Sequence, residues 1–259
     1  MKIKTIVTML ATASFGTLAN AAIVAQYSFE GNINDTAAGG GTADNLTYVQ
    51  ASSGSSAPTY TAGPLGLGGQ AAVFDGNYFS AADSADLSIS GNTWTIEAFV
   101  HVDDPAKDWN RLVMKWANPY EYHFALAAGN LDLYDSSVTN AVDSVNTAPA
   151  TDFADGWHHL AITSSAAGAE AWIDGTSVWT GSAISLNDQA ATFGLGDNPL
   201  ESSTTRRLFG MMDEVLIHDS AVDQTYINGR AALLVSVPEP SGAMLASLGG
   251  LLMFLRRRR

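Results

Sequence analysis

Carboxylates are the raw material for chemistry in this chain, which has 26 Asp and Glu but no cysteine. Without cysteine there is no disulfide, thiolate zinc site or cysteine nucleophile. Glycoside hydrolysis would need two carboxylates about 5 Å apart, as acids alternating along one strand would provide. No such run occurs. Glu121-Tyr122-His123 and Asp213-Glu214 come nearest without the spacing, and Asp132 and Asp135 lack a partner at a suitable interval. His158 and His159 are adjacent, and adjacent strand residues point to opposite faces, so the pair cannot hold one ion. A G-x-S-x-G nucleophile turn is absent from the sequence. The chain therefore reads as non-enzymatic. Hard oxygen ligands suited to calcium are present instead. Glu30, Asn32 and Asp35 follow the first predicted strand, Asp75 sits in a turn, and Asp213 lies on the last long strand. Sugar binding would use aromatics near loops, where Trp109, Trp116, Tyr120 and Tyr134 fall; Trp109 and Tyr120 are the candidate ligand contacts. Trp94, Trp157 and Trp172 occupy strand positions and are expected in the core.

The elements that must carry these residues read as strands. Gly156 to Val178 predicts a hairpin: an alternating run from Trp157, a loop of small residues at 164–168, a second strand at Glu170–Ile173, and an Asp174-Gly175 turn suited to positive φ. The spacing predicts strands at Ile23–Glu30, Asn45–Gln50, Arg111–Trp116, Tyr120–Ala127, Asn130–Tyr134, Ala191–Leu195 and Leu208–His218. Ala71–Phe79 reads as a hairpin about Asp75-Gly76-Asn77. Along Trp94–Val102, Trp94, Ile96, Ala98, Val100 and Val102 face inward and Glu97, Phe99 and His101 outward. One short amphipathic helix is expected at Val222–Ala232. Many short strands with almost no helix predict an all-β, two-sheet antiparallel sandwich over residues 22–232.

Charge and the two ends bound the function. The formal net charge is −14, and six of the 12 basic residues lie at the extreme termini. An acidic body repels phosphate backbones, so nucleic acid is not an expected partner. Residues 1–21 carry Lys2 and Lys4, an apolar stretch and Ala19-Asn20-Ala21, which predicts a secretory signal peptide. Residues 233–259 differ from the body: Pro238-Glu239-Pro240 precedes an uncharged apolar run at about 241–255 and then Arg256–Arg259. A helix of that run spans about 21 Å, short of the roughly 30 Å hydrocarbon core, unless the arginine snorkels. A single weak membrane helix with a cytoplasmic C-terminus is expected.

Two resemblances follow from these motifs. The tail, with Val237, Pro238, Glu239 and Pro240, then an apolar segment, then Arg256, Arg257, Arg258 and Arg259, resembles the PEP-CTERM sorting signal of Gram-negative bacteria. That resemblance implies processing by an exosortase after transient anchoring in the inner membrane, and a final place at the cell surface or in the extracellular matrix. The body resembles the laminin G-like branch of the concanavalin A-like jelly rolls. The matching pieces run in order: Tyr27-Ser28-Phe29-Glu30-Gly31, Val73-Phe74-Asp75-Gly76, Trp94 to Val100, Gly156 to Ala161, Trp172-Ile173-Asp174-Gly175 and Gly210 to Val215. The resemblance implies a jelly roll binding carbohydrate or protein, often with structural calcium at its rim. It also implies that the last long strand lies near the first, which would bring Glu30 and Asp213 to one ion. The expected function is a non-catalytic, carbohydrate-binding surface or matrix protein whose partner is extracellular polysaccharide. The alternatives are an adhesive matrix protein with a protein partner and a glycan-active enzyme.

Overall fold

A computed structural model describes residues 21–50, 55–116, 120–135, 153, 156–201 and 205–235. The predicted signal peptide up to residue 20 and the sorting signal from residue 237 lie outside the described residues, and no described helix is long and apolar enough to cross a membrane.

Alternating apolar residues build strands that pair antiparallel in two sheets. In chain order they are β1 (Ile23–Tyr27), β2 (Thr47–Val49), β3 (Tyr60–Ala62), β4 (Gln70–Asp75), β5 (Tyr78–Ala81), β6 (Trp94–Val102) and β7 (Asn110–Trp116). There follow β8 (Tyr120–Ala127), β9 (Asn130–Asp135), β10 (His158–Ser165), β11 (Gly168–Ile173), β12 (Thr176–Gly181), β13 (Phe193–Leu195) and β14 (Phe209–His218). The eight-stranded sheet has the order β12-β11-β10-β6-β14-β4-β3, with β1 also paired to β14. The six-stranded sheet has the order β2-β5-β13-β7-β8-β9. The inner faces bury Tyr27, Phe74, Phe79, Trp94, Ile96, Phe124, Leu195 and Ile217 in one core.

β6 follows its predicted alternation, with Trp94 to Val102 at even spacing in the core and Glu97 and Phe99 on the other face. Asp174 and Gly175 both take positive φ, +50° and +80°, as the turn requires. That turn does not end the hairpin: it feeds β12, so β10 and β11 lie toward a sheet edge. The predicted 71–79 hairpin is an arch instead. β4 joins the eight-stranded sheet and β5 the six-stranded one, because Phe74 and Phe79 both turn into the core and meet edge to face at 5.2 Å. Trp172 packs outside the core, with Ala161 and Ile227, beneath helix α1 (Gln224–Ala231). α1 starts at an Asp223 cap that accepts from the Tyr226 amide. Ile227 is its one buried residue, so polar contacts rather than an apolar stripe hold this helix to the sheet.

Candidate functional site

Three clusters lie on the outer faces of the sandwich. The first centres on Glu97 of β6, fully buried beneath α1. His159 Nε2 on β10 lies 2.6 Å from one carboxylate oxygen and His218 Nε2 on β14 2.9 Å from the other. Tyr226 Oη donates at 2.7 Å and Arg230 Nε at 3.3 Å from α1. Burial alone would raise the carboxyl pKa, but the two histidine bonds and the Arg230 charge hold it well below the usual range. The site is an ionised knot pinning α1 to the sheet, with no space for substrate. His158 points the other way, to Asp174 at 2.7 Å.

The second cluster gathers acids with fewer donors; Glu214 takes Gln26 Nε2 at 3.4 Å and Arg230 Nη2 at 3.5 Å. β14 carries a bulge between Asp213 and Leu216, with Glu214 at φ +47°. Met212 and Val215 both remain in the core, so the extra residue puts Asp213 and Glu214 together on the outer side. Asp213 is buried, and burial first, then Glu214 and Glu30, push its carboxyl up to about 8. Glu30 follows β1, which pairs with the same part of β14, and accepts from the Gln70 amide at 3.2 Å. The loop at 63–69 closes over both acids. A Cβ on Gly63 would lie 2.6 Å from Asp213 Oδ2, and one on Gly69 would strike the Glu30 carboxylate. Asp35 and Asp75 stand apart from this pair. Asp35 takes the amides of Gln26, Ala37 and Asp44, and Asp75 those of Ser55 and the Asn77 side chain. Among the described residues no three acid or histidine side chains gather as a metal site.

The third cluster lies on the outer face of the six-stranded sheet. His123 of β8 sits between two half-buried tryptophans, Trp109 at 5.5 Å and Trp116 at 5.7 Å between ring centres, both within about 31° of parallel. Arg206 lies 5.9 Å from the Trp109 ring and Arg111 5.4 Å from that of Trp116. Burial, with Arg111 and Arg206, lowers the His123 pKa to about 3, so the imidazole is neutral. Asp197, in the turn after β13, pairs with Arg111 at 2.8 Å and Arg207 at 2.6 Å, and Glu201 takes Arg111 Nη2 at 2.6 Å. These pairs hold Asp197, Glu201 and Arg207 beside the aromatic row. Asp132 of β9 lies on this face opposite Ala125, and burial pushes its carboxyl up to about 6. Tyr120 stands opposite Trp116 in the β7–β8 register, and its side chain lies outside the described residues. Trp109 and Trp116 were legible as loop aromatics; His123 and Asp132 were legible only as catalytic candidates that the spacing excludes, and Arg206 was not singled out. The signal that could have found them is strand alternation across two bulges of β7.

Solved structures share this architecture. Domain 4 of an extracellular arabinanase from Geobacillus stearothermophilus, in complex with arabinotriose, superposes with a TM-score of 0.59 at 19% identity, over 82% of this chain and 98% of that one. The binding domain of Paraclostridial Mosquitocidal Protein 1 gives 0.62 at 15% identity, over 81% of this chain and 52% of the other. Botulinum neurotoxin type C, dependent upon interaction with two ganglioside molecules to get into cells, gives 0.61 at 10% identity, over 83% and 51%. The chain thus spans about half the length of both toxin structures. At these identities the likeness is one of fold. Among curated proteins no relative matches the sequence. Residues 74–228, more than half of the chain, match the laminin G-like family of the concanavalin A-like lectins and glucanases, and the chain belongs to that superfamily.

Proposed function

We propose that this chain is a non-catalytic carbohydrate-binding protein of the bacterial surface or extracellular matrix. The observation that carries the reading is the row Trp109–His123–Trp116, two half-buried tryptophans about a buried histidine, beside Arg206 and Glu201 on the outer face of one sheet. Aromatic edges beside charged hydrogen-bonding groups are what a sugar ring needs, an apolar face next to donors and acceptors. The non-catalytic part rests on acids around it that are committed, Asp197 and Glu201 to arginines and Glu121 to Lys115 at 2.8 Å, while Asp132, its carboxyl raised to about 6, is the acid that the glycan-active alternative would use. Arabinotriose on the first of the solved neighbours favours a glycan over a protein as partner. The test is a polysaccharide pull-down with the full-length protein, comparing wild type, Trp109→Ala, Trp116→Ala and the double variant. The double variant is expected to lose at least about tenfold in affinity. Retained binding would remove this face, and capture of a surface protein with no glycan would favour the adhesive role.

The same reading holds a structural calcium ion between Glu30 and Asp213, where two facing carboxylates and the close glycine loop suit a hard cation. The loop carbonyls would complete the oxygen set. Export, exosortase processing and transient inner-membrane anchoring belong to this reading through residues 1–21, 237–240 and 256–259. Replacing Arg256–Arg259 by Ser and fractionating cells tests it: processing unchanged would remove the sorting signal.

A further inference from the structure

A cleft of about 380 Å³ opens on the outer face of the eight-stranded sheet, at the end opposite the acids of β14 and on the other sheet from the tryptophan row. Its floor is a cross-strand row. Thr163 of β10 stands opposite Glu170 of β11, and Glu170 opposite Thr180 of β12. Residues in such register point to the same face, side by side. Two positions along β11 on that face is Trp172, whose indole Nε1 donates to Thr163 Oγ1 at 3.4 Å. Asp223 and Gln224, leading into α1, form the wall. Small residues keep it open: Gly168 and Gly181 lie at its end, and a Cβ on either would meet the Gly181 carbonyl or the Trp179 ring.

The chemistry of the lining is one-sided. The Glu170 carboxylate has no hydrogen-bond or ion-pair partner among the described residues, unlike those of Glu97, Glu121 and Glu201; only its backbone carbonyl accepts, from Thr163 Oγ1 at 3.5 Å. No Lys, Arg or His lines the cleft. The Thr163 hydroxyl already donates to the Glu170 carbonyl and accepts from the buried Trp172 indole, so a ligand must bring donors to the Glu170 carboxylate and the Thr180 hydroxyl, reach the edge of the indole, and carry no negative charge. The volume lies in the range of small-molecule pockets, about 300–1,000 Å³. We propose that this cleft is a second saccharide site, taking one neutral or amino-bearing sugar residue, with Glu170 accepting a pair of ligand hydroxyls or an ammonium and Thr163 and Thr180 flanking it. Uronates and other acidic sugars are excluded by Glu170 and Asp223.

The test is amide and indole NMR of the full-length protein, titrated with methyl glycosides of a neutral hexose, a 2-amino hexose and a hexuronate. The first two should shift the Trp172 indole and the Gly168 and Gly181 amides saturably, with Kd near about 1 mM, roughly −4 kcal/mol, and the hexuronate should not. Glu170→Gln should weaken both by about tenfold, the low end of the effect of one lost charge-assisted bond, while its thermal midpoint matches wild type. The Trp109→Ala/Trp116→Ala double variant should leave these shifts intact, which separates this site from the tryptophan row. Absence of saturable shifts, equal shifts with the hexuronate, or an unchanged affinity in Glu170→Gln would each overturn the proposal.

Discussion

Glu97 and Asp213 are two buried acids on the outer face of the same sheet, on neighbouring strands, and their surroundings push them in opposite directions. Glu97 is held ionised by two histidines, a tyrosine and an arginine. Asp213 faces Glu214 and Glu30 and is pushed up to about 8. Burial is the first cause in both, and it raises both. What decides the sign is the partner set: two histidine bonds and the Arg230 charge outweigh desolvation at Glu97, whereas at Asp213 two like charges add to it and outweigh the Glu214 amide and Arg230. A buried carboxylate with its donors in place is a fastener, and one crowded by like charges keeps its proton.

The most severe way to break this comparison is Glu97→Ala. It leaves His159, His218 and the Tyr226 hydroxyl buried without their acceptor, and removing one partner of a buried network costs about 3–5 kcal/mol. Urea unfolding of the full-length protein at pH 7 measures it. A loss below about 1 kcal/mol would mean that α1 is not fastened through this knot.

Asp213→Asn should act with the opposite sign. In the absence of calcium the native carboxyl keeps its proton up to about pH 8, while the unfolded one loses it near its ordinary value. Between those pH values the unfolded state binds fewer protons, so stability falls as pH rises from about 4 to about 8. The asparagine variant should lack this slope and be more stable at pH 8 in chelator by on the order of 2 kcal/mol. Excess calcium should raise the thermal midpoint of the wild type by mass action and not that of the variant. A flat melt with and without calcium, in both proteins, would remove Glu30 and Asp213 as metal ligands.

The two acids also differ in how far they could be read beforehand. Glu30 and Asp213 lie inside two of the motif pieces, and the family resemblance implied that their strands are neighbours, as β1 and β14 are. The bulge that turns Glu214 to the same side was not legible, since adjacent strand residues ordinarily face apart. Glu97 was placed on the outer face by alternation, yet its partners lie 62, 121, 129 and 133 residues away, beyond any local pattern. β3 and β12 escaped for a different reason. Both are edge strands, three and six residues long with mostly exposed or half-buried side chains, so no apolar alternation marks them. Trp172 had the alternation of a strand, but two-faced burial needs knowledge of what covers the second face, and α1 arrives from fifty residues downstream.

Arg230 tests the link between the two regions, because it reaches both. Its Nε lies 3.3 Å from Glu97, its Nη2 3.5 Å from Glu214, and its guanidinium 5.0 Å from the Phe99 ring. Arg230→Ala should cost about 1–2 kcal/mol, combining one charged hydrogen bond with a cation–π contact. The fall in stability that Asp213 causes should extend to higher pH, since one of the charges that lowers its pKa is gone. An upper limit of that fall left where it is in the wild type would mean that the two acids are electrostatically separate.

Tyr226→Phe removes the least and resolves the most. The ring stays against His218, 5.4 Å between centres, and only the hydroxyl bond to Glu97 is lost. That oxygen keeps His218 Nε2 as a donor, so the cost should be about 1 kcal/mol, that of a single hydrogen bond. The sharper readout is acid unfolding. The stability supplied by Glu97 is present above the unfolded carboxyl pKa and is lost as pH falls through the folded one. Taking one donor away raises the folded value, so the acid midpoint should move to higher pH together with the loss near neutrality. If the midpoint stays where it is in the wild type, the histidines and Arg230 alone hold Glu97 ionised, and the tyrosine only positions the helix.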